Sequence, residues 1–238
     1  MSSLNILSGG AAQGLVATLV ADFKARTGFA IAGEFGAVGM MADRLRQGTS
    51  ADLIILTAAL VATLAREKLV VPSSIADVGK VETALAIRSG DPKVSVGNAS
   101  DLRAAFLAAD AIFVPDTKAS TAGIHVAKVL EQLGITDAVA ARLKIYPNGA
   151  TAMRQLAASD AAKPIGCTQS TEIISTPGVE LSGVLPPGCD LATTYTAAIT
   201  TKAENAAEAK LLIDLLTSSS QHAARSCAGF VRLEQSPN

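Results

Sequence analysis

The alternation of short apolar segments with longer amphipathic segments constrains the fold of this chain more than any other feature. Apolar runs bounded by turn residues predict strands at Leu4–Leu7, Phe29–Phe35, Leu53–Leu56, Thr83–Arg88, Ala111–Val114, Leu143–Tyr146, Ile165–Thr168 and Tyr195–Thr200. Segments of helical periodicity lie between and after them, at Gln13–Thr27, Met40–Gln47, Ala58–Glu67, Ala99–Ala108, Thr121–Gly134, Ala150–Ala158, Ala206–Thr217 and Ser219–Cys227. Because such alternation is typical of parallel sheets covered by helices on both faces, we expect an α/β fold.

Two of the predicted strands are expected to carry the chain between two lobes. One crossing lies at residues 83–88 and the other at residues 191–200. The first lobe then contains residues 1–82 and 201–238, and the second contains residues 89–190. Ligands of open α/β sheets bind at the carboxyl ends of the strands, where helix N-termini present backbone N–H groups to anions.

Composition and charge exclude several classes of partner. The net charge is −1 and the sequence has no run of basic residues, which predicts no nucleic-acid partner. Trp is absent and Tyr occurs twice, so the chain has few aromatic platforms on which bases could stack. The longest apolar stretch, residues 53–65, is shorter than the roughly 20 residues that cross a bilayer, which predicts no membrane insertion.

The N-terminal sequence bears on location. Met1 is followed within three residues by the first predicted strand, without a basic segment and an apolar segment in front of it. This pattern predicts a cytoplasmic protein, or a periplasmic one if a leader precedes the given sequence. The three cysteines are far apart, which favours free thiols over a disulfide framework or a zinc site. No nucleotide-binding or metal-binding motif is present, so we expect no cofactor and no metal.

Small-residue turns precede several predicted helices, and their sequences resemble the ligand loops of a known family. These turns are Leu7–Gln13, Ala37–Gly39 with Gln47-Gly48 and Ala51-Asp52 downstream, Thr121–Gly123, and Asn148-Gly149 with Pro164–Gln169. Together they resemble the loops of molybdate-binding proteins, which are type II periplasmic binding proteins that supply ABC transporters. The resemblance covers the whole chain. It implies two lobes, each with a central and mostly parallel sheet, and a ligand cleft between them.

The oxyanion ligands of that family are not present here. Its first-loop serine corresponds to Ala11, its second-loop serines correspond to Ala37, Val38 and Gly39, and its tyrosine corresponds to Gln169. Each hydrogen bond missing from a buried anion costs about 1–3 kcal/mol. The loss of these hydroxyls should therefore cost several kcal/mol, and we expect that molybdate is not the ligand.

The remaining donors suit a carboxylate anion. Backbone N–H groups at helix starts, amide and hydroxyl side chains, and one lysine are expected to surround the ligand. The predicted substrate-binding residues are Ser8, Gly10, Ala11, Gln13, Ala37, Val38, Gly39, Lys118, Ser120, Thr121, Asn148, Gly149, Gln169 and Ser170.

Enzymes of this binding-protein class suggest a reaction. Aconitate isomerases, and related isomerases of polycarboxylates, resemble the class, which implies an isomerase that shifts a double bond or interconverts cis and trans forms of a small unsaturated di- or tricarboxylate. Lys118 is the candidate base, or alternatively a counter-ion for a carboxylate. Cys167 is the candidate nucleophile for a cis–trans route, or alternatively an inert buried thiol.

Two further functions remain open on the sequence alone. The chain could be a non-catalytic solute-binding protein for an organic or inorganic oxyanion, with an ABC permease as its partner. It could also be a ligand-sensing domain, although no DNA-binding helix pair is evident. The isomerase hypothesis is favoured by the absence of a visible leader.

Overall fold

The computed structural model describes residues 2–231, which form two compact units. Within the described residues, the first unit combines residues 2–81 with residues 193–231, and the second is Glu82–Ala192. Met1 and residues 232–238, which the sequence analysis assigns to the first lobe, lie outside the described residues.

Strands and helices alternate along most of the chain. The strands are β1 (Ser3–Gly9), β2 (Ala30–Gly36), β3 (Leu53–Thr57), β4 (Ala76–Arg88), β5 (Ala111–Pro115), β6 (Leu143–Tyr146), β7 (Pro164–Gln169), β8 (Val179–Val184) and β9 (Ala192–Ile199). The helices are α1 (Gln13–Thr27), α2 (Val38–Arg46), α3 (Ala58–Arg66), α4 (Ala99–Ala108), α5 (Thr121–Gln132), α6 (Thr136–Val139), α7 (Gly149–Ala157), α8 (Ser170–Ile174), α9 (Ala206–Thr217) and α10 (His222–Cys227). Across residues 2–231, no helix combines the length and the apolar character needed to cross a membrane.

The first unit is built around a mixed sheet. Strand β1 lies parallel to both β2 and β3, and β3 lies antiparallel to β9. Every residue of β3 is buried, as expected for a short apolar strand covered on both faces. Helix α1 packs against α9 and contributes Leu15, Leu19 and the fully buried Phe23 to the single apolar core of this unit.

The second unit has a five-stranded sheet with an apolar cluster on each face. Strand β5 lies parallel to β6 and β7, while β4 lies antiparallel to β7 and β8. Successive residues of β4 point to opposite faces, so Leu85 belongs to one cluster and Ala84 and Ala86 to the other. This alternation fixes which side chains of β4 and β7 share a face near the ends of those strands.

The predicted α/β class and the type II binding-protein fold are confirmed, but some local details differ from the prediction. Strand β4 begins at Ala76, seven residues before the predicted start. Strand β8 replaces part of a predicted loop, because pairing with β4 organises a sequence that is rich in glycine and proline. Asn98 caps α4, because its side chain accepts a hydrogen bond from the Asp101 N–H at 2.9 Å.

Candidate functional site

Several helices begin after parallel strands without a side-chain cap. The N-cap residues of α2 and α5 are Ala37 and Ser120, and neither makes a side-chain capping bond within the described chain. By contrast, Thr57, Asn98 and Asn148 cap α3, α4 and α7 through their side-chain oxygens. Because uncapped first turns keep backbone N–H groups for other acceptors, the starts of α2 and α5 suit an anion.

In the first unit, the predicted binding loops are close-packed and largely apolar. A Cβ atom on Gly9 would lie 2.7 Å from Val38 Cγ1 and 2.8 Å from Tyr195 Cε1, so glycine is required for this approach. The Ser8 hydroxyl is buried and donates to the Gly9 carbonyl at 2.9 Å. Gln13 is exposed at the start of α1. The other predicted residues of these loops are buried or half-buried and carry no side-chain donors, namely Gly10, Ala11, Ala37, Val38 and Gly39.

In the second unit, the predicted site residue Gln169 has a buried side-chain amide without a hydrogen-bond partner among residues 2–231. It lies at the carboxyl end of β7 and is only 2% exposed. Neither Nε2 nor Oε1 of its amide has a hydrogen-bond partner among residues 2–231. The Thr83 hydroxyl, on a residue 1% exposed, also lacks a partner in the described structure, and Thr83 pairs with Gln169 in the sheet register. Unpaired buried polar groups cost about 1–3 kcal/mol each, so these two groups indicate a ligand or bound water here.

The loop before α5 presents Lys118 to solvent. The Asp116 carboxylate accepts hydrogen bonds from the backbone N–H groups of Lys118 at 2.7 Å and Ala119 at 3.0 Å, which fixes the turn. Gly123 allows α5 to approach this loop, because a Cβ atom there would lie 2.1 Å from the Asp116 carbonyl oxygen. Lys118 is exposed, while Ser120 is buried and Thr121 half-buried. The backbone hydrogen bonds of the turn therefore fix the position of Lys118, while its side chain remains exposed to solvent.

The start of α7 is occupied by a carboxylate from the protein itself. The Glu172 carboxylate accepts hydrogen bonds from the Thr168 hydroxyl at 2.6 Å and from the backbone N–H groups of Gly149, Ala150 and Gln169. Burial raises the pKa of Glu172 from its ordinary value, and these four donors oppose that rise. The predicted donors at Gly149 are thus already paired.

Asn148, a further predicted residue at this helix start, is also engaged inside the unit. The Asn148 side chain accepts from the Thr151 N–H at 2.8 Å. A Cβ atom on Gly149 would lie 1.9 Å from Glu172 Oε2, so this position must be glycine for the carboxylate to fit. Ser170 is buried in the first turn of α8. The Gln169 amide, the Thr83 hydroxyl and the Thr171 hydroxyl remain buried without a hydrogen-bond partner among residues 2–231.

Cys167 is poorly placed to act as a nucleophile. Its side chain is buried in the apolar cluster that also contains Leu85 and Ile165. Burial raises the pKa of the Cys167 thiol to about 12, so the reactive thiolate is scarce at neutral pH. This geometry argues for the inert-thiol alternative. Among the described residues, no group of His, Cys, Asp and Glu side chains could hold a metal ion.

Thr83 and Glu172 are functional candidates that the sequence did not reveal. Thr83 lies inside a predicted strand, where threonine is a common residue, and only the register with β7 places it beside Gln169. Glu172 follows a small-residue segment and resembles an ordinary acidic residue in the first turn of a helix. Its position four residues after Thr168 was the one available signal.

Comparison with known proteins identifies related sequences and folds. The family described as bacterial extracellular solute-binding protein matches residues 4–231. An aconitate isomerase from a Pseudomonas species is 23% identical over 226 residues, which cover 92% of this chain and 83% of that protein. The periplasmic molybdate-binding protein of Azotobacter vinelandii has a TM-score of 0.80 and 20% identity, with coverage of 98% of this chain and 100% of that one. PEB3 with bound L-phospholactate has a TM-score of 0.68 and 15% identity, with coverage of 98% and 100%.

Proposed function

Since the chain belongs to the bacterial extracellular solute-binding protein family, we propose that it binds a small unsaturated di- or tricarboxylate, and that it isomerises this ligand. The aconitate isomerase that aligns with most of the chain supports the isomerase activity and makes aconitate the first substrate to test. The hydroxyl ligands that the resemblance to molybdate-binding proteins implies are replaced here by Ala11, Ala37 and Val38, which supports an organic anion over molybdate.

The observation that carries this proposal is the buried amide of Gln169, which has no hydrogen-bond partner among residues 2–231. An amide enclosed at the end of β7, a strand that α5 contacts, can bind a carboxyl group with directional hydrogen bonds. The exposed ammonium of Lys118 adds a positive charge on the same loop as Ser120. A ligand with two or three carboxyl groups would use the amide, the helix start and the lysine together.

The proposed reaction is a proton shift within the substrate. A base removes a proton from the carbon γ to a conjugated carboxyl group, and the electron pair spreads into the double bond and the carboxyl oxygens. Return of the proton to the α-carbon leaves the double bond one position along, so atoms and electrons balance without an oxidant. Hydrogen-bond donors at the carboxyl oxygens, such as the Gln169 Nε2–H, lower the energy of the dienolate intermediate.

A non-catalytic solute-binding function is the second candidate. The exposure of Lys118 favours it, because a lysine that acts as a base is usually desolvated. PEB3, whose structure contains L-phospholactate, and the molybdate-binding protein support an anion as the ligand in this case. Under this hypothesis the partner is an ABC permease and the location is periplasmic, whereas we propose a cytoplasmic location for the isomerase. Release by osmotic shock of the native host cells would favour the binding protein.

Proton NMR in D₂O with purified protein and cis-aconitate tests the proposal. We expect a new set of isomer signals, with deuterium incorporated at the carbon that regains a proton. A panel of other unsaturated dicarboxylates identifies a different substrate of the same class. If cis-aconitate and every compound of the panel bind without change over hours, the protein is a binding protein and the isomerase proposal is wrong.

Replacement of Lys118 separates its two possible roles. If Lys118 is the base, Lys118→Arg should lower kcat by about 100-fold or more with little change in KM, because the guanidinium keeps the charge but cannot take up the proton. If Lys118 is a counter-ion, Lys118→Arg should retain kcat, and Lys118→Met should raise KM by about tenfold. Steady-state kinetics of both variants gives the answer. Lys128→Arg, at an exposed position on α5, is the matched control and should match the unsubstituted protein.

A further inference from the structure

Thr83 and Gln169 face each other across two strands at close range. Their Cα atoms are partners in the antiparallel register of β4 and β7. The Thr83 N–H donates to the Leu191 carbonyl at 2.9 Å, and the Thr83 carbonyl accepts from the Leu185 N–H at 3.0 Å. Both backbone groups of Thr83 therefore point away from β7. Thr83 and Gln169 thus form a non-hydrogen-bonded pair, in which Cα atoms lie about 4.5 Å apart and the side chains approach most closely.

The side chains of this pair share one face of the sheet and are enclosed there. Residues directly opposite in a sheet point to the same side, and the next pair on that side is Leu85 with Cys167, both in one apolar cluster. Thr83 and Gln169 are 1% and 2% exposed. In the part of the chain that the structure describes, neither the Thr83 hydroxyl nor the Gln169 amide has a hydrogen-bond partner. The two side chains thus form a small polar pair next to the apolar cluster that contains Leu85 and Cys167.

The hydrogen-bond donors and acceptors of Thr83 and Gln169 determine which chemical group of a ligand they can bind. The amide offers two N–H donors and one carbonyl acceptor, and the hydroxyl offers one donor and one acceptor. An ionised carboxylate or an inorganic oxyanion only accepts, so it can pair with the donors but leaves Gln169 Oε1 buried beside negative charge. A group that donates and accepts at once satisfies both ends of the amide.

We propose that Thr83 and Gln169 bind a neutral group of the ligand that both donates and accepts a hydrogen bond, either a protonated carboxyl or a hydroxyl, and that they select against fully ionised oxyanions. This inference rests on the proposed function, whose substrate it specifies further. For the isomerase, a protonated carboxyl has a direct consequence. The neutral conjugated acid gives up its γ-proton more readily than the carboxylate does, because the resulting anion carries one negative charge fewer.

Calorimetric binding of two matched probes tests this inference. Tricarballylate has three carboxyl groups and no double bond, so it cannot isomerise, and citrate differs from it by one hydroxyl. Each probe is titrated into the full chain at one pH in buffers of different ionisation enthalpy, which measures protons taken up on binding. A protonated carboxyl at the pair predicts uptake of about one proton with tricarballylate. A hydroxyl at the pair predicts that citrate binds about tenfold or more tightly than tricarballylate, without proton uptake.

Two variants link the result to the pair. Thr83→Val keeps the shape of the side chain and should weaken binding about tenfold for whichever probe gave its expected result. Gln169→Leu should weaken this binding as well, and it should abolish proton uptake if tricarballylate binding takes up a proton. Because the Thr83 hydroxyl has no partner in the described structure, Thr83→Val should not lower the melting temperature of the free protein. Thr63→Val, at a half-buried position on α3 of the first unit, is the control and should bind like the unsubstituted protein.

The outcomes separate this inference from the proposed function. If both probes bind with equal affinity and without proton uptake, the pair holds an ionised carboxylate and the inference is overturned, while the proposed function stands. Tight binding of molybdate or sulfate that depends on Gln169 also overturns it. If neither probe, nor cis-aconitate, nor any unsaturated dicarboxylate of the panel binds, the proposed function is wrong, and the inference is overturned with it.

Discussion

Replacing Asp52 with alanine is expected to lower the free energy of unfolding by about 2–4 kcal/mol. The Asp52 side chain is buried, and its Oδ2 accepts from the Asn5 N–H at 2.9 Å. Its Oδ1 accepts from the N–H groups of Glu204 at 2.9 Å and Asn205 at 2.8 Å, at the start of α9. One carboxylate thus joins β1, β3 and α9. Alanine would leave three backbone donors without their acceptor, and water can replace it only in part.

Urea denaturation monitored by circular dichroism measures this effect. The free energy of unfolding of Asp52→Asn should lie between those of the unsubstituted protein and Asp52→Ala, because the amide keeps one acceptor but turns an N–H group towards backbone donors. Asp214→Ala, at an exposed position on α9, should change stability by no more than about 0.5 kcal/mol. A loss of less than about 1 kcal/mol in Asp52→Ala would show that solvent satisfies these donors and that the network contributes little.

The fold was largely predictable because its signals are local. Strand β3 is a continuous apolar run with a helix on either side of it in sequence, and Gly28 ends α1 with a positive φ of 75°, as a C-terminal glycine predicts. Asp52, next to β3, binds backbone N–H groups at the start of α9. Its partners at residues 204–205 could not be predicted, since they lie about 150 positions away in sequence.

The chemistry of the site was less predictable because it depends on register. Gln169 was identified from the loop resemblance, but only the pairing of β4 with β7 reveals Thr83 as its neighbour. Strand β8 was missed for a similar reason, since its pairing with β4 outweighs a sequence that contains Gly178 and Gly183. The donors at Gly149 were expected to bind substrate, and no local pattern indicated that Glu172 would pair with them. Long-range contacts decide which polar groups remain open to a ligand.

Replacing Glu172 with leucine is expected to lower the free energy of unfolding by about 3–5 kcal/mol. The change removes the acceptor for the Thr168 hydroxyl and for the backbone N–H groups of Gly149, Ala150 and Gln169. All of these donors belong to buried residues, so solvent replaces the acceptor less readily than at Asp52. Glu172→Gln should cost less, because its side-chain carbonyl still accepts. Glu180→Gln, on the exposed side of β8, is the control for the loss of one acidic group.

The pH dependence of the unfolding free energy of these proteins shows whether burial or the four hydrogen-bond donors has the larger effect on the pKa of Glu172. Burial is the larger influence and raises the pKa of Glu172 above its ordinary value of 4.5. The native state then binds this proton more tightly than the unfolded chain does, so the stability contributed by Glu172 increases as pH falls from the raised pKa towards 4.5 and levels off below it. Glu172→Gln has no such titration. The unfolding free energy of the unsubstituted protein minus that of Glu172→Gln should therefore increase on acidification from neutral pH to about 5.

Urea denaturation of both proteins at several pH values yields this difference, because the titration of every other group cancels in the subtraction. A difference that shrinks as pH falls would mean that the native state favours the ionised carboxylate. The four donors would then outweigh the cost of burial, and the start of α7 would hold a fixed negative charge beside the Gln169 backbone. A growing difference means that Glu172 becomes neutral readily, which keeps the surroundings of Gln169 free of a second negative charge when an anionic ligand binds.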